Sequence, residues 1–244
     1  MKKAFTLAEV LITLGIIGVV AAITLPTLIQ NQQKRSLEVA TQKFYSTMSQ
    51  AVKKYMADEG VDDLRNSPLG EKVPYCVSDE VIRNFVTKYL KVVEECDYEA
   101  NNCFAPVYKN WDGSTPDEEG SYNFTTHVHH ENYKDYVLAD GVVIKIGDHC
   151  PPLEFYIDVN GKKGPNRVGY DLWSMSLYYD GVIEESSIGP ECRGRIDSKY
   201  NDDFYKCEEK SAHEKREERF EECKNSTYGG CFGHFLENNF KFDY

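Results

Sequence analysis

The stretch "KKAFTLAEVLITLGIIGVVAAITLP", residues 2–26, decides the fold, because it is apolar over the length of a membrane-spanning helix. Apart from Glu9, no residue between Lys3 and Lys34 is charged. A carboxylate inside a membrane span costs about 2.5 to 3.5 kcal/mol unless a partner neutralises it. The apolar run is too long for the core of a removed signal peptide, and no A-x-A-like cleavage site follows it, so we expect a membrane anchor.

The helical pattern continues beyond the apolar run. Apolar residues recur at steps of three and four as far as Tyr55, which predicts an amphipathic helix that ends near Gly60. One helix over about residues 5–59 would be roughly 80 Å long, with its first half in lipid and its second half packed on a globular domain. Pro26 lies within it and is expected to kink or loosen the helix, because proline removes a backbone donor. The apolar positions of the second half are Leu37, Ala40, Phe44, Met48, Ala51, Val52 and Tyr55.

The amino-terminal residues follow a recognisable order: a short basic leader ending at Ala4, then Phe-Thr-Leu-x-Glu-Val, then an unbroken aliphatic run with Pro26 at its far end. This order resembles the amino terminus of type IV pilins and of the pseudopilins of type II secretion. The resemblance implies that a prepilin peptidase cuts between Ala4 and Phe5 on the cytoplasmic side, and that Phe5 is then N-methylated. It also implies that Glu9, the fifth residue of the mature chain, is the assembly glutamate and that Pro26 is the helix-breaking proline. The family usually has glycine at the position of Ala4.

The resemblance gives Glu9 a physical role. Once the leader is removed, Phe5 carries a free amino group at membrane depth. Glu9 can pair with the amine of its own or a neighbouring subunit, which cancels two costly charges. Such a pair would set the axial register of a filament. The alternative for this stretch is a plain signal anchor in which the glutamate is incidental.

The same resemblance implies a structural subunit of a filament. Such a subunit is made as a precursor in the cytoplasmic membrane, with its amino end in the cytoplasm and its head outside, and is then assembled into a surface or periplasmic filament. Lys2 and Lys3 favour this orientation, because basic residues accumulate on the cytoplasmic side. The implied partners are prepilin peptidase, other pilin or pseudopilin subunits, and membrane lipid. The residues leave open whether the filament is a secretion pseudopilus, a pilus or a DNA-uptake machine.

The part of the chain after the first helix predicts an α+β head. "SDEVIRNFVTKYLKVVEEC", residues 78–96, has the period of a second amphipathic helix with Ser78 as its N-cap. The turn dipeptides Asp-Gly at 140–141, Asn-Gly at 160–161 and Asp-Gly at 180–181 each separate β-rich runs. They predict an antiparallel meander of four to six strands packed on the first helix, which is the pilin-like architecture that the resemblance implies. The β-rich runs are "DYVLA" (135–139), "VVIKI" (142–146), "LEFYIDV" (153–159), "KK" (162–163), "DLWSMSLYY" (171–179) and "VIEE" (182–185).

The carboxy-terminal residues go beyond a minimal pilin. "DDFYKCEEKSAHEKREERFEECKN", residues 202–225, has dense alternating charge at helical spacing, which predicts a solvated helix tied down by cysteines. We therefore expect five segments in the chain. They are a cytoplasmic leader (1–4), a transmembrane and filament-core helix (5–29), an amphipathic helix (30–60), a globular α+β head (61–188) and a charged, Cys-containing extension (189–244).

All eight cysteines follow the apolar segment, and none forms a C-x-x-C pair. This distribution predicts disulfides in an extracytoplasmic compartment, the alternative being reduced core thiols in a cytosolic protein. A straight helix between two cysteines holds them too far apart to form a disulfide. This excludes the pairs Cys76 with Cys96 and Cys207 with Cys223. The preferred pairs are Cys96 with Cys103, Cys192 with Cys207 and Cys223 with Cys231, which leaves Cys76 with Cys150 by elimination.

A calcium site is a second consequence of the resemblance. The stretch "DVNGKKGPNRVGYDLWS", residues 158–174, with Asp-Gly at 180–181 after it, resembles the carboxy-terminal part of major pseudopilins. In that family this loop can hold a calcium ion, and the matching positions are Asp171, Ser174 and Asp180. Carboxylate and other hard oxygen ligands suit calcium. The alternative is that these residues only form hairpin turns, with no cofactor bound.

Composition and the remaining motifs speak against nucleic acid as a partner and give no sign of an enzyme. The chain has 40 acidic and 28 basic residues, a net charge of -12 and no local basic patch, so it repels polyphosphate. No nucleophile elbow, phosphate loop or His-Glu-x-x-His zinc motif is present. The histidines at 127, 129, 130 and 149 are interpreted as surface residues and not as a metal site. The rival interpretation is a membrane-anchored extracytoplasmic binding or enzymatic domain that keeps its leader as an uncleaved anchor.

Overall fold

The structure, a computed structural model, describes residues 6–70, 77–96, 103–116, 134–146, 153–194, 207, 210–225 and 229–244. In these residues a long helix, three shorter helices and a six-stranded sheet form an α+β fold, which confirms the predicted class. The helices are α1 (Leu7–Glu59), α2 (Asp79–Tyr89), α3 (Ala212–Cys223) and α4 (Phe232–Glu237), with two 3₁₀ turns at Leu64–Asn66 and Pro68–Gly70. The strands are β1 (Val92–Cys96), β2 (Lys134–Leu138), β3 (Val143–Ile146), β4 (Leu153–Asp158), β5 (Leu172–Leu177) and β6 (Ile183–Glu184).

Helix α1 has 53 residues and two different environments. Its first half is exposed, whereas one stripe of its second half lies in the core, as the three- and four-residue spacing predicts. The helix ends at Gly60, which has a φ of 68° and caps the last turn in the left-handed conformation. It continues through Pro26 without interruption, and the predicted kink there stays a prediction. The buried positions are Leu37, Glu38, Thr41, Phe44, Met48, Ala51, Val52 and Tyr55.

Helix α2 is shorter than predicted. Ser78 caps it as expected, but the helix ends at Tyr89 and Leu90 is extended, with a φ of -115° and a ψ of 154°. Residues 92–96 then form β1, which pairs antiparallel with β2. The prediction of a single helix over 78–96 is therefore wrong beyond residue 89. The β-branched pair Val92 and Val93 favours an extended chain, and the neighbouring strand supplies its hydrogen bonds.

The sheet is an antiparallel meander with strand order β1-β2-β3-β4-β5-β6, which confirms the upper end of the predicted strand number. The Asp-Gly pair at 140–141 joins β2 to β3, and the pair at 180–181 joins β5 to β6. Gly141 and Gly181 have φ values of 88° and 75°, a conformation that glycine adopts without strain. The positions of these two turn dipeptides therefore predicted two of the tight connections correctly.

The Asn-Gly pair at 160–161 turns the chain, but the predicted strand at Lys162 and Lys163 is absent from the described sheet. Residues 159–171 instead form a longer connection, and β4 pairs with β5 from Asp158 opposite Leu172 onward. Both lysines are exposed, so the connection offers no apolar side chain at 162 or 163 that could bury against the core. The hairpin prediction at this position is wrong for that reason.

The core lies between the sheet, α2 and the second half of α1, and the carboxy-terminal residues take part in it. Phe44 of α1 contacts Phe155 of β4, with ring centroids 6.3 Å apart. Trp173 of β5 stacks on Phe235 of α4 at 4.5 Å. Helix α3 is present as predicted, but it is not only solvated: its Phe220 is buried in the same core. The division between residues 61–188 and 189–244 stays a prediction.

The structure contains the three preferred disulfides. Cys96 pairs with Cys103, Cys192 with Cys207 and Cys223 with Cys231, with Cα–Cα distances of 6.0, 5.2 and 5.3 Å. These distances lie within the range that a disulfide requires. The remaining proposed pair, Cys76 with Cys150, lies outside the described residues.

Candidate functional site: an apolar helix with a capped carboxylate

The first half of α1 is an apolar rod that no described part of the chain covers. By length and composition α1 is the one described helix that could cross a membrane, and its most apolar window is 0% buried. Leu7 and Ile23 are 80% and 70% exposed. An apolar surface of this size is unstable in water, so it requires lipid or other protein around it. Other exposed apolar residues of the rod are Leu11, Ile12, Leu14, Ile16, Ile17, Val19, Val20, Leu25, Leu28 and Ile29.

Glu9 forms a capping box with Thr6 at the start of this rod. The carboxylate oxygen Oε2 accepts hydrogen bonds from the Thr6 backbone N–H at 2.9 Å and from the Thr6 hydroxyl at 2.8 Å. In return, the Thr6 hydroxyl accepts the Glu9 backbone N–H at 3.3 Å. Such a box satisfies backbone donors that a helix start leaves free. Within the described residues the second oxygen, Oε1, has no hydrogen bond, so it is available to a partner.

The sequence itself carries a signal for this capping box, which the apolar periodicity does not contain. A threonine followed three residues later by glutamate, just before an apolar run, is the usual pattern of such a box. It adds Thr6 to the residues that hold Glu9. Ala4 and Phe5, where cleavage and N-methylation are predicted, lie outside the described residues.

The last residues of the chain fasten to α1 just beyond the rod. Lys241 Nζ lies 2.8 Å from Glu38 Oε2, and the Phe242 backbone N–H donates to Glu38 Oε1 at 3.0 Å. Lys34 donates to the Tyr244 backbone oxygen, and the Tyr244 hydroxyl donates to the Gly169 carbonyl at 2.7 Å. Residues 241–244 therefore join the base of the rod to the connection between β4 and β5. We call these residues the carboxy-terminal strap.

Replacing Glu38 with alanine is expected to loosen the strap. The substitution leaves the half-buried Phe242 backbone N–H without its acceptor and Lys241 without its partner, a loss of about 1 to 3 kcal/mol. For a chain of this size we expect a fall of several degrees in Tm, at about 2 to 4 °C per kcal/mol. Thermal unfolding of the full chain in detergent measures the change. Glu59→Ala, at the exposed end of the same helix, is the control, and equal Tm values for the two variants would show that the strap does not stabilise the head.

Two buried aspartic acid side chains hold the connection between β4 and β5. Asp158 accepts hydrogen bonds from the Tyr108 hydroxyl at 2.5 Å and from the Asn160 N–H at 3.0 Å. Burial raises the pKa of Asp158 to about 8, and the nearby charge of Asp171 adds to the shift. Asp171 accepts the backbone N–H groups of residues 166 and 167 at 2.7 and 2.6 Å. Burial raises its pKa to about 6.

The three calcium candidates have separate surroundings. Asp171 precedes β5 and Asp180 follows it, so a strand of six residues, about 20 Å long, lies between them. Asp180 pairs with Arg193 at 3.0 Å, and Ser174 lies against Gly229. The structure does not bring the three side chains to one point, and calcium binding stays a prediction. The histidines at 127, 129, 130 and 149 lie outside the described residues.

Comparisons with known proteins match two adjoining parts of the chain. Residues 1–25 match the model of the prokaryotic N-terminal methylation motif. Residues 27–140 match a family of unknown function (DUF6613). The first match covers the predicted cleavage position, Glu9 and most of the apolar rod. No curated protein and no solved structure is significantly similar to the chain.

Proposed function

We propose that this chain, which carries a type IV pilin-like prepilin segment, is a pilin-like or pseudopilin subunit of a type IV pilus or type II secretion filament. The proposal rests on one combination: the methylation motif over residues 1–25 lies on a helix whose first half is exposed and apolar and whose second half is packed into a head. Prepilin peptidase removes residues 1–4, Phe5 is N-methylated, and the subunit waits in the cytoplasmic membrane.

The dimensions of the rod suit storage in a bilayer. Its exposed part, residues 7–36, is about 45 Å long at 1.5 Å per residue. The hydrocarbon core of a bilayer is about 30 Å thick, so the apolar residues up to Ile29 cross it. Residues 30–36 are polar and reach the headgroups, directly before the position where the strap fastens to Glu38. The head therefore begins where the membrane ends.

When the subunit moves from the membrane into a filament, the apolar surface of the rod must exchange lipid for other subunits. In the bilayer, lipid covers the rod, and the Thr6 donors hold one oxygen of Glu9. In a filament, the rods of other subunits replace the lipid as an equally apolar environment. The Oε1 atom of Glu9 then accepts the methylated amine of a neighbouring subunit, which neutralises both charges and sets the register.

The head transmits axial force because it is packed against α1 and hydrogen-bonded to it. The second half of α1 lies in the core with α2 and the sheet. The strap binds Glu38 and Lys34 at the base of the rod, and disulfides brace the outer loops. A pull along the rod therefore acts on the sheet as a whole.

The mature amino terminus tests this function most directly. Mass spectrometry of the protein purified from membranes is expected to show a chain that begins with N-methyl-Phe5. A lysate from cells without prepilin peptidase supplies the control, in which the chain keeps Met1 or the rest of the leader. An intact leader in peptidase-containing cells would contradict the proposal and favour a membrane-anchored binding or enzymatic domain.

A further inference from the structure

Helices α3 and α4 bring an imidazole and two carboxylates to one point on the surface. His213 and Glu217 lie one turn apart on the same face of α3, and Glu237 is the last residue of α4. One ligand atom from each side chain lies within 4.8 Å of the other two. We propose that this triad, His213, Glu217 and Glu237, binds a divalent metal ion of the zinc class.

The spacing of the triad fits a tetrahedral ion. His213 Nδ1 lies 3.0 Å from Glu237 Oε2. Two ligand atoms bound to zinc at about 2.0 to 2.1 Å with tetrahedral angles are about 3.3 Å apart. A metal ion can therefore take the place of this hydrogen bond with little movement. The ligand atom of Glu217 lies within 4.8 Å of the other two, and this half-exposed side chain can move closer to a bound ion.

A neighbouring histidine orients the Glu217 carboxylate. Glu217 Oε1 lies 2.7 Å from His234 Nδ1. His234 is itself fixed, because it stacks on Phe220 at 3.9 Å and its Nε2 lies 3.0 Å from Asp243. Metal ligands in proteins are commonly held by such outer hydrogen bonds, and removing them weakens metal binding.

The charges around the triad suit a dication. Two carboxylates and a neutral imidazole balance a charge of two. Among the described residues, the Arg216 guanidinium lies beside the triad, with its Nη1 3.4 Å from Glu237 Oε1. Its Nη2 lies 2.5 Å from the carboxylate of the buried Glu184, so an anion outside the triad already pairs with this arginine. The positive charge beside the triad is therefore already compensated.

The ligand types select the metal. Calcium prefers six to eight oxygen ligands, whereas imidazole with carboxylate suits zinc and related transition metals. The His213 side chain is 67% exposed, so an ion can enter from solvent, and a water molecule can complete a fourth position. This site is separate from the calcium candidates around β5.

A bound ion would cross-link the start of α3 to the end of α4, at the end of the helix pair opposite the Cys223–Cys231 disulfide. Helix α4 leads directly into the strap that fastens to Glu38. Metal binding would therefore stabilise the part of the head that joins the base of the rod. Because this proposal depends only on the two helices, it can fail while the filament function holds.

Zinc titration of the full chain in detergent tests the site. The protein is stripped with a chelator and titrated with Zn²⁺ alone, in competition with a chromophoric chelator. We expect one equivalent to bind, and His213→Ala and Glu217→Gln to weaken binding at least about tenfold. Zn²⁺ is also expected to raise the Tm of the wild-type protein but not that of Glu217→Gln.

Glu221→Gln is the matched control. It makes the same change one turn farther along α3, where the carboxylate pairs with Lys224 at 2.6 Å and lies outside the triad. Circular dichroism checks that every variant folds. No zinc binding to the wild-type protein, or equal affinity in Glu217→Gln and Glu221→Gln, would overturn the proposal. Equal affinity would mean that the ion binds elsewhere, such as at the histidines of residues 127–130.

Discussion

Replacing Glu9 with glutamine will block most filament assembly. Cleavage of the leader, membrane insertion and folding of the head will stay normal. The amide keeps an acceptor oxygen for Thr6, but it carries no charge and cannot neutralise the amine of Phe5 in a neighbouring subunit. A charge left unpaired at membrane depth costs about 2.5 to 3.5 kcal/mol. At about 1.4 kcal/mol per tenfold change, filament yield falls by roughly a hundredfold.

A set of substitutions separates charge pairing from helix capping. Glu9→Ala removes the charge and the acceptor, Glu9→Gln removes only the charge, and Thr6→Ala removes only the hydroxyl of the capping box. Charge pairing predicts that both Glu9 variants lose filaments equally and that Thr6→Ala loses far less. Thr24→Val is the control within the same rod, because the Thr24 hydroxyl only bonds back to the Val20 carbonyl.

The measurement is the amount of filament sheared from cells, with mass spectrometry of the amino terminus to verify processing. Normal yield from Glu9→Gln would disprove charge pairing. Loss of yield in Thr6→Ala and Glu9→Ala, with Glu9→Gln unaffected, would assign the role of the carboxylate to capping instead. In either case the processed amino terminus reports separately whether the subunit belongs to the prepilin class.

The features that could be predicted from the sequence are those encoded over short distances. The apolar run and the stripe up to Tyr55 define α1, and Gly60 ends it, because helix periodicity and caps are local. The Asp-Gly pairs at 140–141 and 180–181 define two hairpins for the same reason. The three described disulfides each close a loop of 7 to 15 residues.

Features that depend on distant contacts could not be predicted. Val93 continues a helical period, yet β1 forms because β2 offers a partner edge. Glu38 and Lys241 are 203 residues apart, and no local pattern links them. The triad shows an intermediate case, since the spacing of His213 and Glu217 is visible in α3 but the third member comes from another helix.

The stability of the head will decrease as the pH rises from about 5 to 8. Asp158 and Asp171 lie in the core, and burial raises the pKa of their carboxyl groups to about 8 and about 6. Burial also raises the pKa of Glu185 to about 7. In the unfolded chain these groups titrate near their ordinary values, about 3.9 for Asp and 4.3 for Glu.

The sign follows from proton binding. A raised pKa means that the native state holds the proton more tightly than the unfolded chain, so the stabilising contribution is complete below about pH 4 and is lost as the pH rises through the native pKa. The exposed carboxyl groups of Asp58 and Asp112 have lowered pKa values, because hydrogen bonds from neighbouring residues favour their charged form. Their contribution is lost only at acidic pH, below this window. Between pH 5 and 8 the buried groups therefore dominate.

Asp158→Asn isolates the largest of these contributions. The amide oxygen can still accept the Asn160 N–H, and the amide NH₂ can donate to the Tyr108 hydroxyl oxygen, but the group does not titrate. We expect the unfolding free energy of the wild-type protein to fall by up to about 4 kcal/mol more than that of the variant between pH 5 and 8, at about 1.36 kcal/mol per pH unit. Denaturant unfolding of the full chain in detergent at four pH values measures the slope of the unfolding free energy against pH for the wild-type protein and for the variant.

Asp112→Asn is the matched control, because Asp112 is charged in both states throughout this pH range and its removal leaves the slope unchanged. If Asp158→Asn has the same slope as the wild-type protein, the buried carboxyl group is not protonated in the native state. The hydrogen bonds from Tyr108 and Asn160 would then be sufficient to hold a charged Asp158 in the core. The connection between β4 and β5 would in that case be held by a carboxylate at every pH that the head experiences.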